Sequence, residues 1–277
     1  MEQKILITMA FDNGFIDGGL AMVYSLKKNF KDFDKHDFKI YYSPSFCPLS
    51  EENQGKLKAI HDKIEFVDAS NERYMRWTID GEESFRASFL TLESFKEDGY
   101  DKVVYYDADM LCISDPSEDI LNAPLDKVSG CGSVNTGINC GFIVIGKKYL
   151  GADLWDTLMS HGPNRVRLLE QQLINSYFVK LGAFNILKYE HNWTLQRFDY
   201  KLSSKNIKSI QWSGGSYITG SGKRFLVKPW EDYSNFDESK YFSMKDIEAN
   251  KVWWKYNNEM REKITLGEIS SIFRGWL

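Results

Sequence analysis

Short apolar runs alternate with amphipathic segments through the first part of the chain. Strands are predicted for residues 5–9, 38–42 and 64–67, and helices for residues 20–30 and 50–61. Ser50, which is followed by two acids, is typical of a helix start. Strands that are separated by helices pair in parallel, because the helix returns the chain to the edge where the strand began. The pattern predicts an α/β fold with a doubly wound, mostly parallel central sheet flanked by helices.

The pattern is less regular in the rest of the chain. Helices are predicted for residues 84–96, 149–159 and 167–180, and strands for residues 102–107 and 137–145. Residues 189–230 are polar, aromatic and rich in glycine, which is typical of loops that carry binding chemistry on a rigid scaffold. Residues 259–277 have a helical pattern. We expect residues 1–256 to form one domain and residues 257–277 a small helical extension packed on it, with a membrane-surface or oligomer contact as the open alternative.

Composition limits the classes of function. The 277 residues carry a formal net charge of −4 and a pI near 5.7, which argues against the basic face that a nucleic-acid-binding protein needs. No apolar run is as long as a membrane span, and the charged first residues predict a strand start rather than a signal peptide. The cysteines contain no CxxC pair and are expected to be reduced, buried thiols of a cytoplasmic protein. They are Cys47, Cys112, Cys131 and Cys140.

The strand predicted at residues 102–107 delivers two acids where it should end, Asp107 and Asp109. Side chains alternate along a strand, so both carboxylates should point to the same side. Two such acids repel each other unless a divalent cation lies between them, and Mg²⁺ or Mn²⁺ would suit their oxygen atoms. Open α/β sheets bind ligands at this end of their strands. The segment therefore predicts a site for a metal and a diphosphate, although an Asp-x-Asp triplet also arises by chance as a turn or a helix cap.

Several segments, in the same order, resemble glycosyltransferase family 8, the nucleotide-sugar-dependent retaining transferases. The likeness covers roughly residues 5–256 and includes the run from Tyr106 to Leu111, the strand that begins Ile138-Asn139, and Lys228-Pro229-Trp230. The resemblance implies a Rossmann-like GT-A fold, a UDP-sugar donor and a divalent cation, usually Mn²⁺ (or Mg²⁺). It also implies that Asp109 binds the metal directly and that Asp107 contacts both the ribose and the metal, which makes Asp107 a candidate catalytic residue.

The turn after the first strand resembles the uridine-binding segment of that family. It runs from Met9 through Ala10 and Asp12 to Phe15. Asp12 can accept hydrogen bonds from ribose hydroxyls, and Phe15 offers a ring face to the base. The same residues also make a good turn without any ligand.

The resemblance assigns two further segments to the donor phosphates and the sugar. Arg86 would reach the donor with forked hydrogen bonds, with a solvated helix arginine as the alternative. Asn139 would bind a sugar hydroxyl, and Gly141 would leave room for the sugar beside the strand. Residues 135–137 offer a competing register for this Asn-x-Gly pattern.

The segment around Glu170 and Gln171 is similar to an Asp-Gln segment of the family, with Glu in place of Asp. By position, Glu170 would hold sugar hydroxyls and Gln171 would lie near the reacting anomeric carbon. Glu170 is the alternative nucleophile if its longer side chain brings it close. Taken alone, the segment is an exposed polar helix face.

The last site segment departs from the family, which has a metal-binding His where this chain has Gln211. A Gln oxygen can still bind Mg²⁺ or Mn²⁺, but more weakly than imidazole binds Mn²⁺. Gly214 belongs to the same segment, and Lys228 is the expected diphosphate contact. The residues that could compensate for the missing imidazole are His191, Ser213 and Ser221.

The sequence thus predicts a retaining hexosyltransferase that moves glucose or galactose from a UDP-sugar to a glycan, glycolipid or glycoprotein acceptor. We expect a cytoplasmic, bacterial protein without a nucleic-acid partner. A degenerate, non-catalytic nucleotide-sugar binder is one alternative. The other is a phosphatase of the haloacid dehalogenase type, which would require a hydroxyl residue after the second acid where Met110 and Leu111 stand.

Overall fold

The computed structural model describes residues 3–79, 83–133, 137–162, 165–166, 169–194, 206–213, 217–218, 224–225, 228–230 and 248–274. The strands are β1 (Ile5–Ala10), β2 (Asp37–Tyr42), β3 (Ile64–Asp68), β4 (Thr78–Ile79), β5 (Lys102–Tyr106), β6 (Met110–Cys112), β7 (Val128–Gly132), β8 (Ile138–Gly146), β9 (Arg165–Val166), β10 (Phe184–Leu187), β11 (Trp193–Thr194), β12 (Ser209–Gln211), β13 (Tyr217–Ile218) and β14 (Arg224–Phe225). The α-helices are α1 (Ile16–Asn29), α2 (Glu51–Ile60), α3 (Glu72–Arg76), α4 (Ser117–Asn122), α5 (Ala152–Ser160), α6 (Leu169–Lys180) and α7 (Glu248–Arg274). Shorter and longer 3-10 segments are Asn13–Phe15, Phe33–Lys35, Glu83–Phe95, Lys147–Tyr149 and Tyr189–His191.

The central sheet confirms the predicted α/β class. Within the described residues it has seven strands in the order β10-β7-β8-β5-β1-β2-β3. β1 pairs in parallel with β2 and β5, and β2 pairs in parallel with β3, as expected for strands joined by helices. β8 runs antiparallel to both of its neighbours, β5 and β7, so the sheet is mixed but mostly parallel.

A smaller sheet stands beside the carboxyl end of β5. It contains β11, β12 and β6, and β12 pairs antiparallel with β6. The predicted loop region of residues 189–230 therefore contributes short strands where the structure describes it, in addition to loops. This small sheet brings the end of β12 next to the turn that follows β5.

Two apolar layers cover the two faces of the central sheet. One face packs against α1, α2 and α7, with Met9, Leu26 and Trp253 among its buried side chains. The other face packs against the 3-10 segment Glu83–Phe95 and helices α5 and α6, with Phe89 and Phe178 buried there. Every residue of β5 is buried, which agrees with its continuous apolar sequence.

Some predicted boundaries differ from the observed ones. The helix expected at residues 149–159 begins at Ala152, because Gly151 takes a φ of +113° that interrupts the preceding turn. The segment predicted as a helix at residues 84–96 is helical but of the 3-10 type. Ser50 caps α2 as predicted, its hydroxyl accepting from the Asn53 amide at 3.3 Å.

The C-terminal helix begins earlier than predicted. It starts at Glu248 rather than near residue 259, because buried Trp253, Tyr256 and Met260 continue its apolar face upstream. The helix runs through residues 256–257, where we placed the boundary between the domain and its extension; the division itself stays a prediction. Among the described residues, no helix combines the length and the apolar character that a bilayer crossing requires. All four cysteines are free and buried, as expected.

Candidate active site

The two acids of the sequence motif lie in the turn that joins β5 to β6. β5 ends at Tyr106, so Asp107 and Asp109 are outside the strand, and the strand alternation from which we expected a shared side does not apply to them. The Asp107 amide donates to the Gly141 carbonyl of β8 at 2.8 Å. The Trp212 amide donates to the Asp109 carbonyl at 2.9 Å. The turn is therefore held between β8 and the end of β12.

The side-chain amide of Gln211 joins the two carboxylates. Gln211 is the last residue of β12 and lies opposite Met110 of β6. Its Nε2 donates to Asp107 Oδ2 at 2.8 Å and to Asp109 Oδ1 at 3.0 Å. Its Oε1 is buried and has no hydrogen-bond partner among the described residues. The three residues assigned to a metal are thus brought together, through the amide nitrogen of Gln211.

Lys228 takes the remaining position beside Asp109. Its ammonium forms a buried ion pair with Asp109 Oδ2 and donates to the Trp212 carbonyl at 2.6 Å. The Lys228 nitrogen lies 5.4 Å from the centroid of the Phe15 ring and 6.0 Å from that of Trp230. Both distances are within the range of cation–π attraction. The lysine assigned to a diphosphate therefore lies between the acid pair and two aromatic rings.

Burial and neighbouring charge raise the pKa of Asp107 well above its usual value. Desolvation is the largest cause, and repulsion from Asp109 and Glu170 adds to it. The Tyr105 hydroxyl, which donates to Asp107 Oδ1 at 2.9 Å, and the charge of Lys228 act in the opposite direction. A further positive charge would favour the ionised carboxylate. The positive charge around the acid pair is therefore too small to offset the cost of ionising Asp107.

Two side-chain amides are anchored on backbone N–H groups of β8. Asn139 Oδ1 accepts from the Gly141 amide at 2.8 Å. Gln171 Oε1, in the first turn of α6, accepts from the Cys140 amide at 3.1 Å. A Cβ at Gly141 would fall on the Gln211 amide, so the glycine lets Gln211 lie against the strand. The residues assigned to the donor sugar on β8 and α6 therefore adjoin the acid pair.

The competing register at residues 135–137 lies mostly outside the described residues. Gly137 is described, with a φ of +97°, and a Cβ there would collide with the Asn175 side chain. The Asn175 amide accepts from the Ile138 amide and donates to the Ile138 carbonyl, both at 2.8 Å. Gly137 thus allows α6 to be fixed to the start of β8.

Glu170 is largely enclosed, although the segment taken alone suggests an exposed polar helix face. Burial is the main cause that raises the pKa of Glu170 to about 7. The Ser88 hydroxyl and the backbone amides of Glu170 and Gln171 act against this rise. Its Oε2 is buried and has no partner within the part of the chain that the structure describes. Because Glu170 also raises the pKa of Asp107, it lies within electrostatic reach of the acid pair.

The turn after β1 has the form that its sequence suggests. Ala10 is the last residue of β1, and Asp12 Oδ1 accepts from the Gly14 amide at 2.9 Å, which is an ordinary turn contact. The Phe15 ring is 40% exposed and packs edge-on against Trp230, with 6.1 Å between centroids. An exposed ring beside a buried cation is suited to a planar ligand. The roles of these residues toward uridine stay predictions.

Sequence reasoning did not identify Trp230 as part of the site. Its ring lies so close to Gly18 of α1 that a Cβ there would be 2.6 Å from it and 2.5 Å from the Ala108 carbonyl. The start of α1 is therefore packed closely against both Trp230 and the Asp107–Asp109 turn. The sequence feature that could have identified Trp230 is its position directly after Lys228-Pro229.

Arg86 is buried rather than solvated, so the alternative of a surface helix arginine is wrong. Its Nη1 donates to the carbonyl of Tyr74 and, at 3.0 Å, to that of Trp77. These contacts hold the chain around α3. Its predicted contact with the donor stays a prediction.

The residues that could compensate for the missing metal-binding His lie in different parts of the structure. His191 is buried, pairs with Asp119 at 3.2 Å and stacks on Phe142 with 5.4 Å between centroids, which is a structural environment. Burial lowers the pKa of His191. Ser213 follows Trp212 at the end of the small sheet. Gly214 and Ser221 lie outside the described residues.

Comparisons with known proteins identify the fold. No protein-family model matches the chain, and no curated protein matches its sequence. Solved structures do match it. The galactosyltransferase LgtC in complex with donor and acceptor sugar analogs is 14% identical, with a TM-score of 0.62 over 94% of this chain and 99% of that chain. The chain has the GT-A fold.

Two larger glycosyltransferases share this GT-A fold. The bifunctional WbbM is 14% identical with a TM-score of 0.63, over 95% of this chain and 52% of WbbM. GlyE of Streptococcus pneumoniae is 15% identical with a TM-score of 0.59, over 98% of this chain and 65% of GlyE. This chain therefore spans about half of WbbM and about two thirds of GlyE.

The residues of this GT-A site can be tested against the divalent ion that the fold implies. Among the described residues there is no group of three or more His, Cys, Asp or Glu side chains that could hold a metal. The available donors are two carboxylates and an amide, from Asp107, Asp109 and Gln211, and such oxygen donors suit Mg²⁺ or Mn²⁺. The buried, unpartnered Oε1 of Gln211 fits this use, since rotation of the amide would exchange it with Nε2.

Proposed function

We propose that this protein is a retaining hexosyltransferase that moves glucose or galactose from a UDP-sugar to a glycan, glycolipid or glycoprotein acceptor. The observation that carries the proposal is the acid pair that follows β5, held by Gln211 and Lys228 in a GT-A fold. The fold speaks against the phosphatase alternative. We expect the protein to work in the cytoplasm, where nucleotide sugars are made.

The donor would lie across the carboxyl end of the sheet. Uridine would stack on Phe15, with its ribose near Asp12 and the backbone of Ala10. The diphosphate would lie beside the acid pair, within reach of Lys228, and the predicted contacts of Arg86 and Gly214 belong to the same part of the donor. The sugar would adjoin Asn139, Gly141 and the start of α6.

The chain's own groups would assist departure of the UDP leaving group. The Lys228 ammonium pairs with Asp109, and moving it from Asp109 to the diphosphate would neutralise developing negative charge. Asp107, Asp109 and the Gln211 oxygen would hold a divalent ion, Mn²⁺ or Mg²⁺, which supplies Lewis-acid stabilisation of the diphosphate when bound. The rings of Phe15 and Trp230 lie within cation–π distance of the Lys228 ammonium.

Retention of configuration is better explained by same-face attack than by a nucleophilic Gln171. The Gln171 oxygen already accepts a hydrogen bond from the Cys140 amide, and a carboxamide is a poor nucleophile. In same-face attack the acceptor hydroxyl gives its proton to an oxygen of the leaving diphosphate. Glu170 is the alternative nucleophile, but with a pKa of about 7 it is partly protonated at neutral pH.

The proposal is tested by incubating the protein with UDP-glucose or UDP-galactose, Mn²⁺ and a panel of sugar acceptors, and measuring UDP release. We expect turnover that falls by at least a hundredfold in Asp109→Asn. NMR of the product should show an α-linkage formed from the α-donor. A β-linked product would contradict retention, and UDP release that is equal in Asp109→Asn would contradict the site.

One observation favours a non-catalytic nucleotide-sugar binder as the second candidate. The donors that Gln211 and Lys228 supply already occupy three of the four oxygens of the acid pair. If those contacts were permanent, neither a metal nor a diphosphate could reach the acids. Binding of UDP-sugars without any hydrolysis or transfer, across donors and metals, would support this candidate over the enzyme.

A further inference from the structure

Asn192 is a buried residue that lies between the 3-10 turn Tyr189–His191 and β11. It is 2% exposed, and its backbone amide donates to the Tyr189 carbonyl at 3.0 Å. Its side-chain Nδ2 donates to Asn139 Oδ1 at 2.8 Å. The neighbouring His191 is itself fixed by Asp119. Asn192 therefore reaches the sugar-facing strand β8 from a rigid base.

The contacts with the Gly141 amide and with Asn192 together settle which way the Asn139 amide faces. Asn139 Oδ1 accepts two hydrogen bonds, one from Asn192 and one from the backbone amide of Gly141. Rotation of the amide by half a turn would place an N–H₂ group against two donors and lose both bonds. The Asn139 nitrogen is thus held on the opposite side, where it makes no hydrogen bond to the described residues.

The partly exposed Asn139 can consequently offer a ligand donors but no amide oxygen. Gln171 is oriented in a similar way, but its oxygen accepts only one hydrogen bond, from the Cys140 amide. The matching ligand group is an oxygen with a free lone pair, such as a sugar hydroxyl or ring oxygen. Both anchored amides adjoin Gly141, whose carbonyl holds the Asp107 amide.

Asn192 carries a cost that a purely structural residue would not need. Its Oδ1 is buried and has no partner in the described part of the chain. Burying an unpaired acceptor destabilises a fold, and an apolar side chain of similar size would avoid that cost. The benefit that offsets it is the single bond to Asn139.

We infer that Asn192 is a positioning residue of the donor-sugar site, which fixes the Asn139 amide with its N–H₂ group toward an acceptor oxygen of the sugar. The inference rests on the proposed function and deepens it. Asn192 does not touch the donor itself. Its effect should therefore appear for ligands that carry the sugar and be absent for UDP.

The test compares calorimetric affinities for UDP and for the UDP-sugar turned over by the wild type, each with Mn²⁺. Asn192→Leu should weaken binding of the UDP-sugar by about three- to tenfold, the effect of one lost hydrogen bond, and change UDP affinity by less than about twofold. In an Asn139→Ala background, Asn192→Leu should cause almost no further loss, because its effect passes through Asn139. Asn185→Leu is the matched control, since it removes an amide that donates to Ser129 of β7, which lies opposite Val144 of β8 rather than beside residues 139–141, and it should change neither affinity.

Asn192→Asp provides the same test if Asn192→Leu folds poorly, because it keeps the side chain's shape and replaces the donor with an acceptor. Equal losses for UDP and the UDP-sugar would overturn the inference, as would an additive loss in the Asn139→Ala background, because both indicate a merely structural role. If the wild type binds UDP but no UDP-sugar, the proposed function fails and the inference fails with it. If the wild type binds the UDP-sugar but the Asn192 variants show no selective loss of UDP-sugar affinity, the inference is overturned and the proposed function stands.

Discussion

Lys228 should compete with a divalent cation for Asp109 in the nucleotide-free protein. The ammonium and the carboxylate are about nine-tenths buried, with side-chain exposures of 11% and 10%, so solvent screens their attraction only weakly. Without a diphosphate, a cation that binds the acid pair must compete with the Lys228 ammonium for Asp109. When a diphosphate is present, the ammonium can bind the diphosphate instead. Lys228→Met removes the competitor while keeping an unbranched side chain of similar length.

The size of the effect follows from the burial of the pair. Breaking a buried ion pair costs roughly 3–5 kcal/mol, because the remaining charge is left without a partner. Lys228→Met should lower the free energy of unfolding by up to that amount in metal-free buffer. Bound Mn²⁺ should recover part of this lost free energy of unfolding. Since about 1.4 kcal/mol corresponds to a factor of ten in affinity, we expect Lys228→Met to bind Mn²⁺ about ten- to a hundredfold more tightly than the wild type does.

The assay is a titration of Mn²⁺ into nucleotide-free protein, with free Mn²⁺ measured by electron paramagnetic resonance and stability by thermal melting. Mn²⁺ should raise the melting temperature of Lys228→Met more than that of the wild type. With UDP present the order should reverse, because the variant lacks the ammonium that contacts the diphosphate. Lys127→Met is the control: Lys127 donates to the Gly182 carbonyl away from the acids, and its loss should leave Mn²⁺ affinity unchanged. Mn²⁺ affinity in Lys228→Met equal to or below that of the wild type would refute the competition.

Three further perturbations test the same site. Gln211→His should tighten Mn²⁺ binding by roughly tenfold in calorimetry with UDP, because imidazole is a better ligand for this ion than an amide; weaker binding would count against Gln211 as a metal ligand. Gly141→Ala would push the Gln211 amide off the acid pair, so transfer activity should fall at least tenfold with a change in melting temperature of only a few degrees; unchanged activity would contradict that contact. The pKa of Glu170 is raised to about 7, so the folded state binds more protons than the unfolded state above about pH 4.5, and this group's stabilisation is lost as the pH rises to about 7. In denaturant titrations above pH 7, the free energy of unfolding of Glu170→Gln should therefore exceed that of the wild type by roughly 3 kcal/mol. A stability difference that does not vary with pH would refute this.

The sequence predicted those features of the fold that depend on local residue patterns. The buried strand before Asp107, the helix capped by Ser50 and the parallel pairing of β1, β2 and β3 all follow from periodicity and turn chemistry. It did not predict contacts between distant segments, such as Lys228 with Asp109 or Asn192 with Asn139. Polar side chains of this kind have many allowed partners, and tertiary packing selects among them. The resemblance to a family located these residues along the chain, while their partners came from the structure.

The direction of β8 explains why so many polar groups meet beside the acid pair. A strand parallel to β5 would bring its own carboxyl end to this edge of the sheet. β8 is antiparallel, with Phe142 opposite Tyr106, so residues 139–141 at its start extend just past the end of β5. Beyond the last paired residue, backbone groups have no strand opposite them and are free to bind side chains.

Those free groups are used in three ways. The Gly141 carbonyl accepts from the Asp107 amide, the Gly141 amide holds Asn139, and the Cys140 amide holds Gln171. One strand end therefore fixes an acid of the motif and orients both amides assigned to the donor.

A substitution that shifts the start of β8 should disturb diphosphate and sugar recognition together. Asn175→Leu, which removes both bonds to the Ile138 backbone, should weaken UDP and UDP-sugar binding alike, in contrast to Asn192→Leu; a loss confined to the UDP-sugar would show that the two halves of the site are held independently.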